Sequence, residues 1–444
     1  MLRIAVVGSG PSGCYTAQTL VQLDPEVRVD VLDRLPCPYG LVRYGVAPDH
    51  EKIKSLQGSL RSVLEHERVR FLGGVRVGGP GGLPVERLRE LYHAVVYCVG
   101  AATDRHLGIP GEELPGSWSA TDFVAWYSAH PDAADAGFLR GVRAAVVIGV
   151  GNVAVDVTRM LVRGAEELRP TDIPQGALDA LAASGVTEVQ MVGRRGPAQA
   201  RFTTKELREL GGLPGTRVTV DPGDLALDPA DAAALPTVQR RNLEVLRGWA
   251  GRPSSGAARR IRLRFFLRPV ELLAERGRVG AVRFERTAPD GRGGVTGTGR
   301  FEEVPAQLVL RSVGYRGVPL DGLPFDAPSG TVPNTAGRVV RDGAPSPGEY
   351  VAGWIKRGPT GVIGTNRPCA KETAASLLAD APALTRRNVP EDPVAALRAA
   401  GIEPVPWSGW LAIERAEAAL GARLGRSVVK LADWDALLRA AGAR

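Results

Sequence analysis

Cysteine and methionine are scarce in this 444-residue chain, with four of the first and three of the second. The cysteines, Cys14, Cys37, Cys98 and Cys369, are scattered, with no C-x-x-C pair and no metal-ligand spacing. That excludes a cysteine-rich iron–sulfur segment and a redox-active dithiol, and it predicts reduced thiols in a cytoplasmic setting. No apolar run reaches the roughly 18 residues that a membrane span needs. Met1-Leu-Arg-Ile-Ala-Val-Val-Gly8 enters a strand pattern at once, so no secretory leader is expected. Lysine contributes little to the formal charge of +8, which arginine carries. No basic block interleaved with aromatics points to nucleic acid. An acidic protein partner or a phosphorylated ligand fits the excess, and so does a plain compositional bias.

What is present reads as an ordinary globular composition, 44% hydrophobic and 23% charged, long enough for two or three domains. Residues 2–8 form a short β-rich run ended by glycine, residues 11–23 carry helical spacing, and Val27-Arg-Val-Asp-Val-Leu-Asp33 is a second strand. Strand, glycine turn, helix and strand make a βαβ unit of a parallel sheet. The same grammar restarts at Val142-Arg-Ala-Ala-Val-Val-Ile-Gly149, with a helix over 152–163 and a next strand ending at Arg194. Ala94–Ala101 and Leu308–Gly314 read as buried strands at the two connections between domains. The predicted fold class is therefore α/β, with two Rossmann-like dinucleotide-binding domains. Their expected extents are 1–104 and 319–444 for the first, with the second, 105–318, inserted between them. Stretches 261–268 and 279–287 look β-like, and 384–444 turns mainly helical, with amphipathic segments at 411–424 and 433–441.

Gly8-Ser-Gly10-Pro-Ser-Gly13 is a G-x-G-x-x-G between strand and helix. Its glycines serve a tight turn, close approach to a pyrophosphate, and packing of helix on strand. The helix N-terminus offers free N–H groups and a positive dipole end to phosphates. Asp33, 20 residues beyond Gly13, ends the second strand, where a carboxylate accepts from ribose hydroxyls. An unliganded glycine turn would leave that acid unexplained. The second fingerprint is Gly149-Val-Gly151-Asn152-Val153-Ala154, with alanine at the third glycine position. Its following strand ends in Arg194-Arg195, and guanidinium groups bind a 2′-phosphate where a carboxylate would repel it. A solvated turn is the bland alternative. The 40-residue interval from Ala154 to Arg194 is accounted for by an inserted helix and loop over 163–185. One acidic and one basic site predict FAD at the first and NADP(H) at the second, with hydride transfer between them.

Longer motifs then carry a family. Cys37-Pro-Tyr-Gly-Leu-Val-Arg-Tyr-Gly-Val-Ala-Pro-Asp-His50, Gly149–Asp156, Gly193-Arg-Arg-Gly-Pro197, Phe202-Thr-Thr-Lys-Glu-Leu-Arg-Glu209 and Tyr350–Thr365 resemble the adrenodoxin reductase type of ferredoxin–NADP reductase across essentially the whole chain. The resemblance implies a glutathione reductase-like arrangement. It also implies FAD contacts at Ser12, Asp33, Leu41, Val77, Trp354 and the run Gly361, Val362, Ile363. For NADP it implies contacts at Gly151, Asn152, Val153, Ala154, Arg194, Arg195, Glu206 and Gly361. Asp33 stands where many relatives have glutamate, and Val150 where a glutamine is common. Thr365 and Asn366 are good N-cap types for a helix over 366–378 that would aim its positive end at the flavin ring. Trp354 would cover the ring, or be a core tryptophan. His50 and Glu209 are the family-suggested candidates for proton handling, and His50 fits a neutral structural role almost equally.

The activity so implied is a flavoprotein oxidoreductase passing a hydride from NADPH to FAD, then single electrons to a ferredoxin. Typical ferredoxins are acidic, so basic docking residues are expected. Arg208 lies in the Phe202–Glu209 motif, and Arg240, Arg241 and Arg247 fall on a helical pattern over 237–249. For each, a solvated helix face is the alternative.

Overall fold

The structure, a computed structural model, describes residues 1–133, 137–227, 234–251 and 256–443. The chain divides into two units. The first comprises Met1–Thr103, Ser128–Asp132 and Tyr315–Arg444, and the second Asp104–Tyr127 and Ala133–Gly314.

In the first unit the run Arg3–Val7 is almost wholly buried and lies in an eight-stranded sheet. Strands Ala344–Val351, Ala94–Tyr97, Arg3–Val7, Arg28–Leu32 and Val69–Gly73 are neighbours in that order and parallel throughout. Short antiparallel strands close both edges. Ile4 and Val6 join one apolar cluster, while Ala5 and Val7 join another. That is the period of two expected when helices cover both faces of a parallel sheet. Helix Pro11–Leu23 starts with proline at its first turn, where a missing N–H costs nothing, and buries Cys14, Ala17, Leu20 and Val21. The C-terminal segment is helical as expected, over Pro393–Ala399, Trp407–Arg423 and Trp434–Ala441. The middle helix begins a turn earlier than its apolar periodicity indicated, directly after Pro406.

The second unit holds a six-stranded, wholly parallel sheet. Ala144–Ile148 sits between Glu188–Val192, the next strand of the glycine-turn grammar, and Leu308–Arg311, from the stretch read as a connection between domains. The expected β-stretch 261–268 is not one strand. Phe266 takes φ +56°, and the chain turns there from the parallel strand Arg259–Arg264 into the antiparallel strand Leu267–Glu275. Leu267–Glu275 and Arg278–Pro289 form a hairpin closed by Arg276 and Gly277, both at positive φ, as a tight two-residue turn requires. A third strand, Val295–Pro305, completes that sheet. Its Gly297 and Gly299 and its mostly exposed pattern hid it from periodicity.

Candidate nucleotide-binding sites

The first glycine turn is built so that side chains cannot enter it. Gly8 has φ +108°, and a Cβ there would lie 2.5 Å from the Cys98 carbonyl oxygen. A Cβ on Gly13 would come within 1.8 Å of the Gly8 oxygen, so strand and helix touch backbone to backbone. Gly10 precedes helix Pro11–Leu23, whose N-terminus has no side-chain cap and so leaves first-turn amides for a ligand. Facing it is Gly40 at φ +49°, where a Cβ would lie 2.9 Å from the Gly10 Cα. The Tyr39 amide donates to the Ser9 oxygen at 3.1 Å and holds this wall in place. Gly40 escaped the sequence reading as a site residue, although Pro-Tyr-Gly-Leu carries its turn signal.

Asp33 stands at the end of the second strand and accepts from the Ser9 amide (2.9 Å), the Ser9 hydroxyl (2.5 Å) and the Leu35 amide (3.0 Å). Burial raises its pKa, against those bonds and the nearby Arg34. A carboxylate offers about four acceptor positions, so roughly one remains for a hydroxyl. Asp33 thus braces the glycine turn as well as facing the cradle's end. Ser12 is buried, with the weak Cys98 thiol beside its hydroxyl. A Cβ on Gly353 would meet that hydroxyl at 2.4 Å. Trp354 follows at the start of a single helical turn, half-buried, its ring 5.3 Å from that of Tyr315. Leu41 is exposed beside Gly40, and Val77 is buried and bridged to Leu83.

Gly361 takes φ +83°, Val362 is 67% exposed and Ile363 is half-buried, just ahead of helix Asn366–Ala379. Thr365 and Asn366 do not cap that helix. The Thr365 hydroxyl accepts from the Val362 amide at 3.1 Å. Asn366 donates to the Ile363 oxygen and accepts from Arg357 at 2.9 Å. Both side chains brace the preceding turn, and the helix start carries no side-chain cap.

The second turn repeats the design with one difference. Gly149 has φ +144°, and a Cβ there would collide with the Ser312 oxygen at 2.1 Å. A Cβ on Gly151 would meet nothing within 4 Å. The space over Gly151 is open, as a bound phosphate requires. Asn152 and Val153 begin the uncapped helix Asn152–Val162, and Ala154 is wholly buried beneath them. The Asn152 side chain accepts from the Thr203 amide at 2.8 Å. Arg194 is exposed and Arg195 half-buried. Their backbone oxygens accept from the Thr287 hydroxyl and the Phe266 amide, but neither guanidinium is engaged among the described residues.

A family model described as "Pyridine nucleotide-disulphide oxidoreductase" matches residues 2–209. NADPH-ferredoxin reductase FprA of Mycobacterium tuberculosis is 47% identical over 98% of both chains. The mitochondrial NADPH:adrenodoxin oxidoreductase of Arabidopsis thaliana is 39% identical over 99% of this chain and 95% of that one. The structure of Mycobacterium tuberculosis FprA in complex with NADPH superposes with a TM-score of 0.93 and 46% identity, over the full length of both chains. The chain belongs to the adrenodoxin reductase type of ferredoxin–NADP reductases.

In this reductase the second unit carries a charge network that sequence inspection did not assemble. Arg159, 1% exposed, reaches Asp156 at 2.9 Å, Glu209 at 3.5 Å and Glu206 at 3.9 Å. Asp156 lies one helical turn from Arg159, but the two glutamates come from helix Thr204–Gly211, distant in sequence. Glu209 also meets Lys205 at 3.7 Å. A buried guanidinium needs such partners. His50 is buried in the first unit, where its carbonyl starts the short helix Glu51–Lys54 by accepting from Ile53 and Lys54.

The reductase's four candidate docking arginines are all exposed. Arg240, Arg241 and Arg247 lie on helix Thr237–Trp249, which buries Asn242, Leu243, Leu246 and Trp249 on its other side. Arg208 and Arg241 line one open cleft with Thr204, Lys205 and Glu209. No described residue pairs with these four guanidiniums. Among the described residues, no helix is long and apolar enough to cross a membrane.

Proposed function

We propose that the chain is an NADPH-dependent ferredoxin reductase holding FAD in its first unit and NADP(H) in its second. The observation that carries this reading is the pair of side-chain-free glycine cradles in a chain 47% identical, end to end, to a reductase of that name. When bound, FAD accepts a hydride from NADPH and passes electrons on singly to an iron–sulfur protein.

The chain's own residues bind and orient. Gly8, Gly10, Ser12 and Gly13 let the first helix start approach a pyrophosphate, and Asp33 keeps an acceptor position for the ribose. Leu41, Val77, Trp354, Gly361, Val362 and Ile363 line the remainder of the FAD site. The Asn366–Ala379 helix start, free of a side-chain cap, favours negative charge beside the ring. Gly151, Asn152, Val153 and Ala154 cradle the second pyrophosphate, and Arg194 and Arg195, unpaired among the described residues, select the 2′-phosphate. Glu206 orders the NADP side of the site through Arg159. His50 and Glu209 are the groups assigned to proton handling. Glu209, 3.5 Å from Arg159 and 3.7 Å from Lys205, steadies that side of the site. Positioning, rather than acid–base chemistry, is the main demand of hydride transfer.

The partner is an acidic ferredoxin, met by Arg208, Arg240, Arg241 and Arg247. A cytoplasmic location accords with four free, buried thiols. The deciding experiment is anaerobic titration of the purified yellow protein with NADPH and then a ferredoxin. The flavin band should bleach and recover. Neutralising Arg194 and Arg195 together should weaken NADPH binding by roughly 1.5–3 kcal/mol per lost charge-assisted bond, at most, and leave NADH use nearly unchanged. A colourless folded protein without affinity for FAD would overturn the reading.

A further inference from the structure

We infer that Arg201 is a further nucleotide-binding residue, recognising the pyrophosphate of NADP(H) rather than its 2′-phosphate. This rests on the second unit being the NADP site. Neither the glycine fingerprint nor the arginine pair points to position 201.

The segment 200–203 runs alongside the second glycine turn and is pinned to it. The Arg201 amide donates to the Val150 oxygen at 2.8 Å, and Val150 is the residue between Gly149 and Gly151. Two residues on, the Thr203 amide donates to the Asn152 side chain at 2.8 Å. Between them, Phe202 is buried and its oxygen accepts from Asn242 at 3.0 Å. Ala200 is buried as well, whereas Arg201 is exposed, as is Thr203 at the end of the segment. Its guanidinium has no partner among the described residues. A fixed backbone thus presents an unpaired cation next to the turn where Gly151 leaves open space and the helix start has no cap. An exposed arginine anchored elsewhere would gain nothing from such pinning. Here the anchor is the phosphate-binding turn itself, whereas Arg194 and Arg195 sit at the end of the neighbouring strand. A pyrophosphate over Gly151 lies within the reach of an arginine side chain, and a guanidinium pairs with phosphate oxygens in bidentate fashion.

The test separates the two phosphate groups by ligand. Dissociation constants of NADP+ and of 2′-AMP, which lacks the pyrophosphate, are measured on the flavin-loaded protein for wild type, Arg201→Ala, Arg201→Lys and Arg194→Gln/Arg195→Gln. Arg201→Ala should weaken NADP+ by roughly threefold to tenfold, since the group is exposed and screened, and leave 2′-AMP unchanged. Arg201→Lys should recover part of the loss, and the double variant should weaken both ligands. Loss of 2′-AMP binding in Arg201→Ala would move the residue to the 2′-phosphate and overturn the assignment, as would unchanged NADP+ binding. Should Arg201→Ala fail to fold, the lysine variant and Arg201→Gln carry the same comparison. Wild type that binds neither ligand would instead refute the NADP site.

Discussion

Arg43 and Glu417 meet at 2.5 Å with both side chains almost wholly buried, and the pair fastens the C-terminal helix Trp407–Arg423 to the wall of the first glycine turn. The same Glu417 oxygen accepts from the Leu431 amide at 2.9 Å, and Lys430 donates to the Arg43 oxygen at 2.6 Å. The Arg43 guanidinium lies over the rings of Tyr44 and Trp410, 5.0 Å and 4.9 Å from their centroids. Gly40, against Gly10, is three residues away from Arg43. Removing one partner of a buried pair strands the other charge and costs about 3–5 kcal/mol. Glu417→Gln should therefore lower the denaturation midpoint and release FAD more readily on gel filtration. Lower stability with unchanged FAD retention would detach this clamp from the cradle.

The glycines of the two turns should separate by mutation. At Gly13 a methyl group would meet the Gly8 oxygen at 1.8 Å, so Gly13→Ala forces helix and strand apart and should yield little folded flavoprotein. At Gly151 the same methyl group meets no protein atom. Gly151→Ala should keep the wild-type melting temperature and FAD content while raising the KM for NADPH several-fold. A melting temperature that falls with Gly151→Ala would show that the open space serves folding instead.

How much of this was legible beforehand follows from where each signal lay in the chain. Gly8, Gly10, Gly13 and Asp33 fall within one short βαβ unit, and their backbone geometry follows from residue type and order alone. The Arg194–Arg195 pair ends a strand whose alternation is plain in the sequence. Arg159 with Glu206 and Glu209 was not legible, because its partners come together only when two helices pack. Gly40 faces Gly10 across a gap of 30 residues, a pairing that no periodicity encodes. The edge strand Val295–Pro305 buries only Val304, too little to produce a pattern. The run 261–268 read as one strand because its alternation of apolar residues and arginines runs on into Phe266 and Leu267 with no glycine or proline, while the break at Phe266 is a matter of φ.

A pH dependence should arise at His130. Burial lowers its pKa to about 4, with Asp132 opposing and Arg34 reinforcing the shift. The half-buried ring packs edge-on against Tyr44 at 5.0 Å, and its Nδ1 accepts from the Asp132 amide at 3.1 Å. In the unfolded chain a histidine titrates near 6.5. Between those values the unfolded state binds the proton and the native state does not, so this contribution is complete above about pH 6.5 and is lost as pH falls towards 4. His130→Asn keeps an acceptor for the Asp132 amide and removes the titration. Urea midpoints from pH 7 to pH 5 should fall more steeply in wild type than in the variant, by about 1 kcal/mol once screening is allowed for. Parallel profiles would place the pH dependence elsewhere.

The proposed partner surface yields the sharpest separation of activities. Arg208 and Arg241 line one cleft with Lys205, and Arg240 and Arg247, seven residues apart, share the exposed side of the same helix as Arg241. None of the four arginines is ion-paired to a described residue, although Glu209 lines the same cleft as Arg208 and Arg241. Such a patch acts mainly on association rate, and salt screens it over roughly 8 Å at physiological ionic strength. Arg240→Glu/Arg241→Glu should slow ferredoxin reduction by about tenfold at low salt and steepen nothing else. Diaphorase activity with a small neutral dye should stay near wild type, because the buried residues of this helix are untouched. Raising ionic strength should slow the wild-type ferredoxin reaction towards that of the variant, so that the two converge. If dye and ferredoxin activities fall together, the helix supports the NADP site and the ferredoxin docks on another face.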